Sequence, residues 1–282
     1  VFANLKDDYN LPKEANAGNN PDAVYSFRLA KESHVDVNVV GENAVYAIYK
    51  EDFNGEEGPA ANNNVKGWVP LETVNTDVVI GDNGELVTSN MVPTYEYYKY
   101  TLSQQIYTAE EINAFEGTIN SVAFRQSADI SCTRNISVYI VNSDKAEFNG
   151  GSDWVSFTAE DLVFDGTVDY PATAGAWLNL EFTTPFEYAG GNVVLCVVDK
   201  TGTWASAGVY FDAYATGKNR CNFIYSDDIS YNVDNIKEKS GNLFQVNSDV
   251  KFNGDFLVES QTAVPTFPAG KYYLVAAAEG EF

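Results

Sequence analysis

Residues 21–59, PDAVYSFRLAKESHVDVNVVGENAVYAIYKEDFNGEEGP, and residues 267–282, FPAGKYYLVAAAEGEF, decide how this chain is read. In the first stretch Val35, Val37 and Val39 alternate with His34, Asp36 and Asn38, the period-2 pattern of a half-buried antiparallel strand. Tyr25, Phe27 and Leu29 repeat that spacing just upstream. The second stretch supplies a further strand at Tyr272–Ala276. Together the two read as halves of one small β-domain, with a second β-module carried between them. That arrangement requires Tyr272–Ala276 to pair in the same sheet as a strand within residues 24–50, which brings both chain ends into one domain.

Working outward, the β signal continues almost everywhere. Val122–Phe124, Ser137–Val141, Trp177–Phe182, Val193–Val198 and Cys221–Tyr225 are short apolar or alternating runs separated by Gly, Asn, Asp and Pro, as in a sandwich of many short strands. Helix is scarce. Thr108-Ala-Glu-Glu111 is a capping box followed by Ile112 and Phe115, enough for about two turns, and Thr158-Ala-Glu-Asp161 caps a single turn by the same means. Loops such as Asn62–Asn64 and Gly81–Gly84 place junctions near residues 60–76 and 250–266. The expected fold is all-β, with two β-sandwich or jelly-roll-like domains, the second inserted in the first: residues 1–75 with 253–282, and residues 76–252.

Composition limits the function. With 282 residues, 45% of them hydrophobic and 14% aromatic, the chain exceeds the usual single-domain size and can bury a large core. Seventeen basic against 40 acidic side chains give a formal charge of −23, and residues 146–199 contain no Lys or Arg. Such a surface repels phosphate, which argues against nucleic acid and anionic membranes as partners; the acidity also serves solubility in a secreted protein. No stretch approaches the ~20 apolar residues that span a bilayer, so direct membrane insertion is not expected. Cys132, Cys196 and Cys221 include no CxxC pair and support neither a zinc site nor a redox motif. Cys196, inside the apolar run VVLCVV, reads as core, and a disulfide between two of the three is left open. Val1 rather than Met at the start suggests a processed or truncated chain, which leaves room for a signal peptide removed upstream and invisible here.

The outer segments, with the strands VYSF, HVDVNV, AVYAIYKEDF and FPAGKYYLVA, resemble the pre-peptidase C-terminal type of β-sandwich domain. The central segment, about Val78 to Phe252, resembles a jelly-roll-like module of secreted and surface proteins of Bacteroidetes, related in style to adhesin modules. The blocks behind this resemblance are Tyr97–Tyr100, Ser103–Ile112, Thr133-Arg-Asn135, Val138–Asn142, Ser152-Asp-Trp154, Val163–Gly166, Thr184–Tyr188 and Ile224–Asp227, in that order. The resemblance implies a secreted or cell-surface bacterial protein that adheres or recognises rather than catalyses. The split outer domain departs from the family, in which that domain runs uninterrupted.

Catalytic motifs are missing: there is no GxSxG, HExxH or Walker loop, and the one histidine, His34, sits on the polar side of a strand. No enzyme is therefore expected, although 40 acids leave a carboxylate pair across a cleft uncounted. No cofactor is required. Calcium is the one metal with support, since Asp52, Asn54 and Glu56 in EDFNGEEG offer oxygen ligands at alternate positions around Gly55, although the EF-hand pattern is absent. Trp177 falls with Asn179 and Glu181 on the polar face of its strand, and Trp204 sits in the small-residue loop TGTWAS. These two indoles are the candidate ligand-binding residues, because aromatic faces on a β-sandwich suit sugars and protein hot spots. The expected function is an extracellular adhesion or recognition module that binds a glycan or a host or bacterial surface protein. The alternative is an accessory region of a secreted peptidase or polysaccharide-degrading enzyme.

Overall fold

A computed structural model describes residues 22–35, 44–50, 71–81, 91–205, 210–259 and 266–278. Asp52, Asn54 and Glu56 lie outside the described residues. The chain groups into two compact units: Val1–Leu71 with Glu259–Phe282, and Glu72–Val258. Three strands precede the second unit, β1 (Asp22–Leu29), β2 (Ser33–His34) and β3 (Ala44–Lys50).

The second unit contains β4 (Leu71–Ile80), β5 (Tyr100–Tyr107), β6 (Glu116–Arg125), β7 (Thr133–Ser143), β8 (Leu162–Asp169) and β9 (Trp177–Tyr188). It continues with β10 (Asn192–Asp199), β11 (Ala213–Ala215), β12 (Cys221–Ser226), β13 (Asn242–Phe244), β14 (Val246–Ser248) and β15 (Val250–Glu259). Six strands form one sheet in the order β13-β12-β5-β10-β7-β8, four form another in the order β4-β15-β6-β9, and β11 pairs with β14. The two large sheets share one core. Val193, Leu195 and Val197 of β10 meet Val122 and Phe124 of β6, Leu178 and Leu180 of β9, and Phe252 and Phe256 of β15. This is β-sandwich architecture.

Strand β10 explains its own sequence. Its even positions, Val194, Cys196 and Val198, face a second apolar layer built by Leu102, Ile106, Phe148, Phe157, Tyr231 and Ile236. A strand covered on both faces has no polar face to display, so the run VVLCVV is continuous rather than alternating. Cys196 behaves as a small hydrophobe here, and all three cysteines are free. Strands β6 and β15 approach so closely at a register shift that a Cβ on Gly254 would collide with the Thr118 carbonyl oxygen, which only glycine avoids.

The capping box at Thr108 forms as its sequence suggests, but the helix is shorter than expected. Helix α1 spans Ala109–Ile112 only, because Asn113 adopts the left-handed conformation and closes it after one turn. Ile112 is buried and Phe115 is not. The Thr108 hydroxyl accepts from the Glu111 amide at 3.3 Å, and Glu111 Oε2 accepts from the Thr108 amide at 2.8 Å. Thr108→Ala should therefore cost about 1 kcal/mol in a urea titration. A loss below the error of that titration would show that the cap is dispensable. Thr158 caps a single 3-10 turn, Ala159–Asp161, in the same way.

In the first unit, β16 (Thr266–Phe267) pairs with β2, and β17 (Gly270–Ala278) lies between β1 and β3. Tyr272 sits opposite Phe27 on one side and Lys50 on the other. The Tyr272 ring stacks on Phe27 at 5.5 Å, meets Phe267 edge-on at 5.6 Å, and its hydroxyl donates to the Pro268 carbonyl. A small core of Ile48, Phe267 and Tyr272 results. His34 is exposed on the short β2 strand.

Candidate functional site

Among the described residues, the second unit presents its most exposed large hydrophobic side chain from a loop whose backbone is held on both sides. Strand β10 ends at Asp199, whose Oδ1 accepts from the Thr201 amide at 3.0 Å and from the Thr201 hydroxyl at 2.6 Å, turning the chain immediately. The Gly202 amide donates to the Lys99 carbonyl, the Thr203 carbonyl accepts from Arg134 Nη1, and the Ala205 amide donates to the Glu96 carbonyl. Gly202 has φ +79°, a conformation glycine adopts without strain. Between these anchors Trp204 is 60% exposed. A large indole normally goes inward. Here the backbone is fixed and the ring is left in water.

Beside it lies a tyrosine cluster on the turn that leads into β5. Tyr98 donates its amide to the Tyr95 carbonyl, and Ser103 Oγ donates to the Pro93 carbonyl, which sets the turn against the strand. Tyr95 packs on Tyr97 at 5.3 Å and on Tyr98 at 5.6 Å, and Tyr98 meets Tyr225 of β12 at 4.0 Å. Tyr97 is 45% exposed; the others are half-buried. Tyr97 and Trp204 each stand one residue from the hydrogen bond that joins Glu96 to Ala205. The result is a set of aromatic rings carried on two segments that are hydrogen-bonded to each other, with Tyr97 and Trp204 exposed, and exposed rings of this kind stack against flat apolar faces. Burial raises the Tyr95 and Tyr98 hydroxyls, so both stay protonated donors at neutral pH.

Beneath this surface is a buried charged cluster. Arg134, 2% exposed at the start of β7, directs Nε and Nη2 at Asp199 Oδ2, at 2.7 and 2.5 Å. Its Nη1 donates to Thr203 O at 2.8 Å, and Nη2 also reaches Tyr98 O at 3.1 Å. Burial pushes the Asp199 carboxyl up, against the pull of Arg134 and the two hydrogen bonds from Thr201. Glu96 is fully buried as well, and burial raises it to about 8, which favours the protonated form at neutral pH. The Thr94 hydroxyl donates to Glu96 Oε1 at 2.7 Å and so has to accept from the Tyr170 hydroxyl, 2.8 Å away. Glu96 Oε2 has no partner. Cys132 is pushed up to about 12, first by burial and then by Glu96.

Of the two indoles expected at the surface, Trp204 stands at this site and Trp177 does not belong to it by sheet. Trp177 opens β9 in the four-stranded sheet, opposite Arg125, and alternates as its sequence requires: Leu178 and Leu180 are buried, Asn179 and Glu181 exposed. Its ring is half-buried and carries the Lys251 ammonium 5.5 Å from its centroid, which occupies one face.

Two other groupings were not apparent in sequence. Asp249, raised to about 6 by burial and then by Asp212, has an unpartnered buried oxygen, while Asp212 faces Arg125 Nε at 3.4 Å. An open groove of about 350 Å³ on the four-stranded sheet is lined by Glu116, Thr118, Glu187 and Asp255 among others. Among the described residues no three His, Cys, Asp or Glu side chains stand together as a metal site, and no helix is long and apolar enough to cross a membrane.

No family model matches the sequence, and no curated protein matches it. Solved structures of infectious bursal disease virus, Gx and Gt strains, are similar over 92% and 90% of this chain, at 8% identity and TM-scores of 0.24 and 0.19. This chain spans 62% and 59% of those viral chains. A likeness at that level carries no argument about fold or function.

Proposed function

We propose that this chain is a non-catalytic recognition module of a secreted or cell-surface bacterial protein, and that it binds a neutral glycan on the Tyr97–Trp204 surface. The observation that supports this reading is Trp204, 60% exposed on a loop fixed at Gly202, Thr203 and Ala205. A ring carried on a fixed backbone loses less conformational freedom on binding than one on a mobile loop, and removes a large apolar area from water when a sugar face covers it. Tyr97, exposed on the adjoining turn, offers a hydroxyl donor to sugar oxygens. The charge of −23 sets the ligand's charge: sulfated or uronate-rich polymers would meet a repulsive field, and neutral ones would not. The sequence resemblances to a surface adhesin-type module and a pre-peptidase C-terminal-like domain favour the same location and class.

A neutral-glycan array probed at low and high salt tests the reading. Binding should change little with ionic strength, because no charge pair is formed. Trp204→Ala should weaken the best hit by roughly tenfold to a hundredfold, the loss expected of an aromatic hot spot. Equal binding by wild type and by the Trp204→Ala, Tyr97→Ala double variant would defeat the proposal, as would a strict preference for polyanions.

A further inference from the structure

Arg134 is large, charged and 2% exposed, yet one carboxylate, Asp199, accounts for only part of its hydrogen-bonding capacity. Two of the remaining donors go to main-chain carbonyls in different segments: Thr203, next to Trp204, and Tyr98, next to Tyr97. A guanidinium can do this because it is planar and presents five N–H groups in fixed directions; an ammonium presents three from a single point. Both carbonyls belong to loops, the part of a sandwich with the lowest local stability. The neighbouring bonds from Gly202 to Lys99 and from Ala205 to Glu96 join the same two segments. They are bonds between uncharged main-chain groups. The charge-assisted ones from Arg134 are the stronger restraint.

We propose that Arg134 is a positioning residue for the aromatic surface, its guanidinium fastening the Trp204 loop to the tyrosine-bearing turn so that both ring sets are in place before a ligand arrives. This deepens the glycan-binding reading by assigning what organises its site. A ligand meeting a preformed surface need not order two loops on binding. Asp199 has a double part. It neutralises Arg134 and, through Oδ1, starts the turn at Thr201 that gives the loop its direction.

Native-state amide hydrogen exchange on the ligand-free chain is the test, so the outcome does not depend on whether a glycan binds. Arg134→Lys keeps the charge opposite Asp199 but cannot reach both carbonyls. It should speed exchange at the Gly202 and Ala205 amides by roughly tenfold or more, the ratio that loss of a charge-assisted hydrogen bond brings. The amides of Val122 and Phe124, in the centre of the sandwich, should keep wild-type protection. Arg134→Met with Asp199→Asn removes both charges, while the side-chain amide oxygen introduced at position 199 still accepts from Thr201, and this double variant should show the same selective loosening. Acrylamide quenching of Trp204, taken as the difference between each variant and its Trp204→Phe counterpart, should rise in parallel. Protection within twofold of wild type at Gly202 and Ala205 in either variant would overturn the proposal. So would loss of protection that is equal at Val122 and Phe124 in both variants, since Arg134 would then be a core residue with no particular hold on the loops.

Discussion

Arg134→Met should destabilise the second unit by about 3–5 kcal/mol, because it leaves the Asp199 carboxylate buried without its counter-ion. The side chain being replaced is itself apolar along most of its length, so Met fills much of the same volume and a cavity is not the main cause. What is lost is the pair of contacts to Asp199 Oδ2 and the donors to Thr203 and Tyr98. Removing the second charge as well should recover most of the loss. A buried ion pair replaced on both sides by neutral groups of similar shape is often close to neutral in stability. Urea unfolding followed by near-UV circular dichroism measures both variants. If Arg134→Met and its double with Asp199→Asn are equally unstable, the cost lies in the carbonyl contacts or in packing rather than in the stranded carboxylate.

The sandwich was legible in the sequence because its rule is local. Alternation along Trp177–Phe182 places Leu178 and Leu180 inward and Asn179 and Glu181 outward, as found. The continuous run Val193–Val198 signals a strand covered on both faces, as found. Tyr272–Ala276 lies between β1 and β3 of the N-terminal segment, the pairing that the half-motifs at the chain ends required. Helix length was less legible: Ile112 and Phe115 have helical spacing, but Asn113 between them takes the left-handed conformation, which periodicity does not register.

The candidate site was legible only at its surface. Trp204 among Thr, Gly, Ala and Ser has no large apolar neighbours in sequence to hide among, and it is exposed. Arg134, Asp199 and Glu96 gave no such sign, because a buried charge is recognised by its partner and these partners are 65 residues apart, or joined only through Thr94 and Tyr170. A weak signal exists in hindsight. Asp199 directly follows six apolar residues, all buried, so a carboxylate there has to be paired, hydrogen-bonded or protonated. Trp177 shows the reverse limit: its face was read correctly, but the Lys251 ammonium over its ring comes from β15, far off in sequence.

Glu96 should make this protein more stable in mild acid than at pH 8. In the unfolded chain its carboxyl titrates near 4.5; in the folded chain burial moves it to about 8. Below the first value both states hold the proton and the residue contributes no pH dependence. Between the two values the folded state retains a proton that the unfolded state has released, so stability falls as pH rises, by about 1.4 kcal/mol per pH unit for one group. Above about 8 both states are ionised and the curve flattens. Asp249, moved up to about 6, adds a slope of the same sign that ends sooner. Glu96→Gln separates the two. The amide imitates the protonated acid, with Oε1 still accepting from Thr94, and it cannot ionise. At pH 8 the variant should exceed wild type by on the order of 4 kcal/mol, the difference shrinking to near zero by pH 4.5. Its own stability should be almost level from about pH 6 to 8, with the Asp249 slope remaining below. General repulsion among 40 acids also eases on acidification, but it acts equally on wild type and variant and weakens with salt. The difference between their melting curves across pH, measured at roughly 0.5 M salt, therefore isolates the one carboxyl. Parallel curves would mean that Glu96 is ionised in the fold, with its charge compensated by Arg134 despite the absence of a direct hydrogen bond.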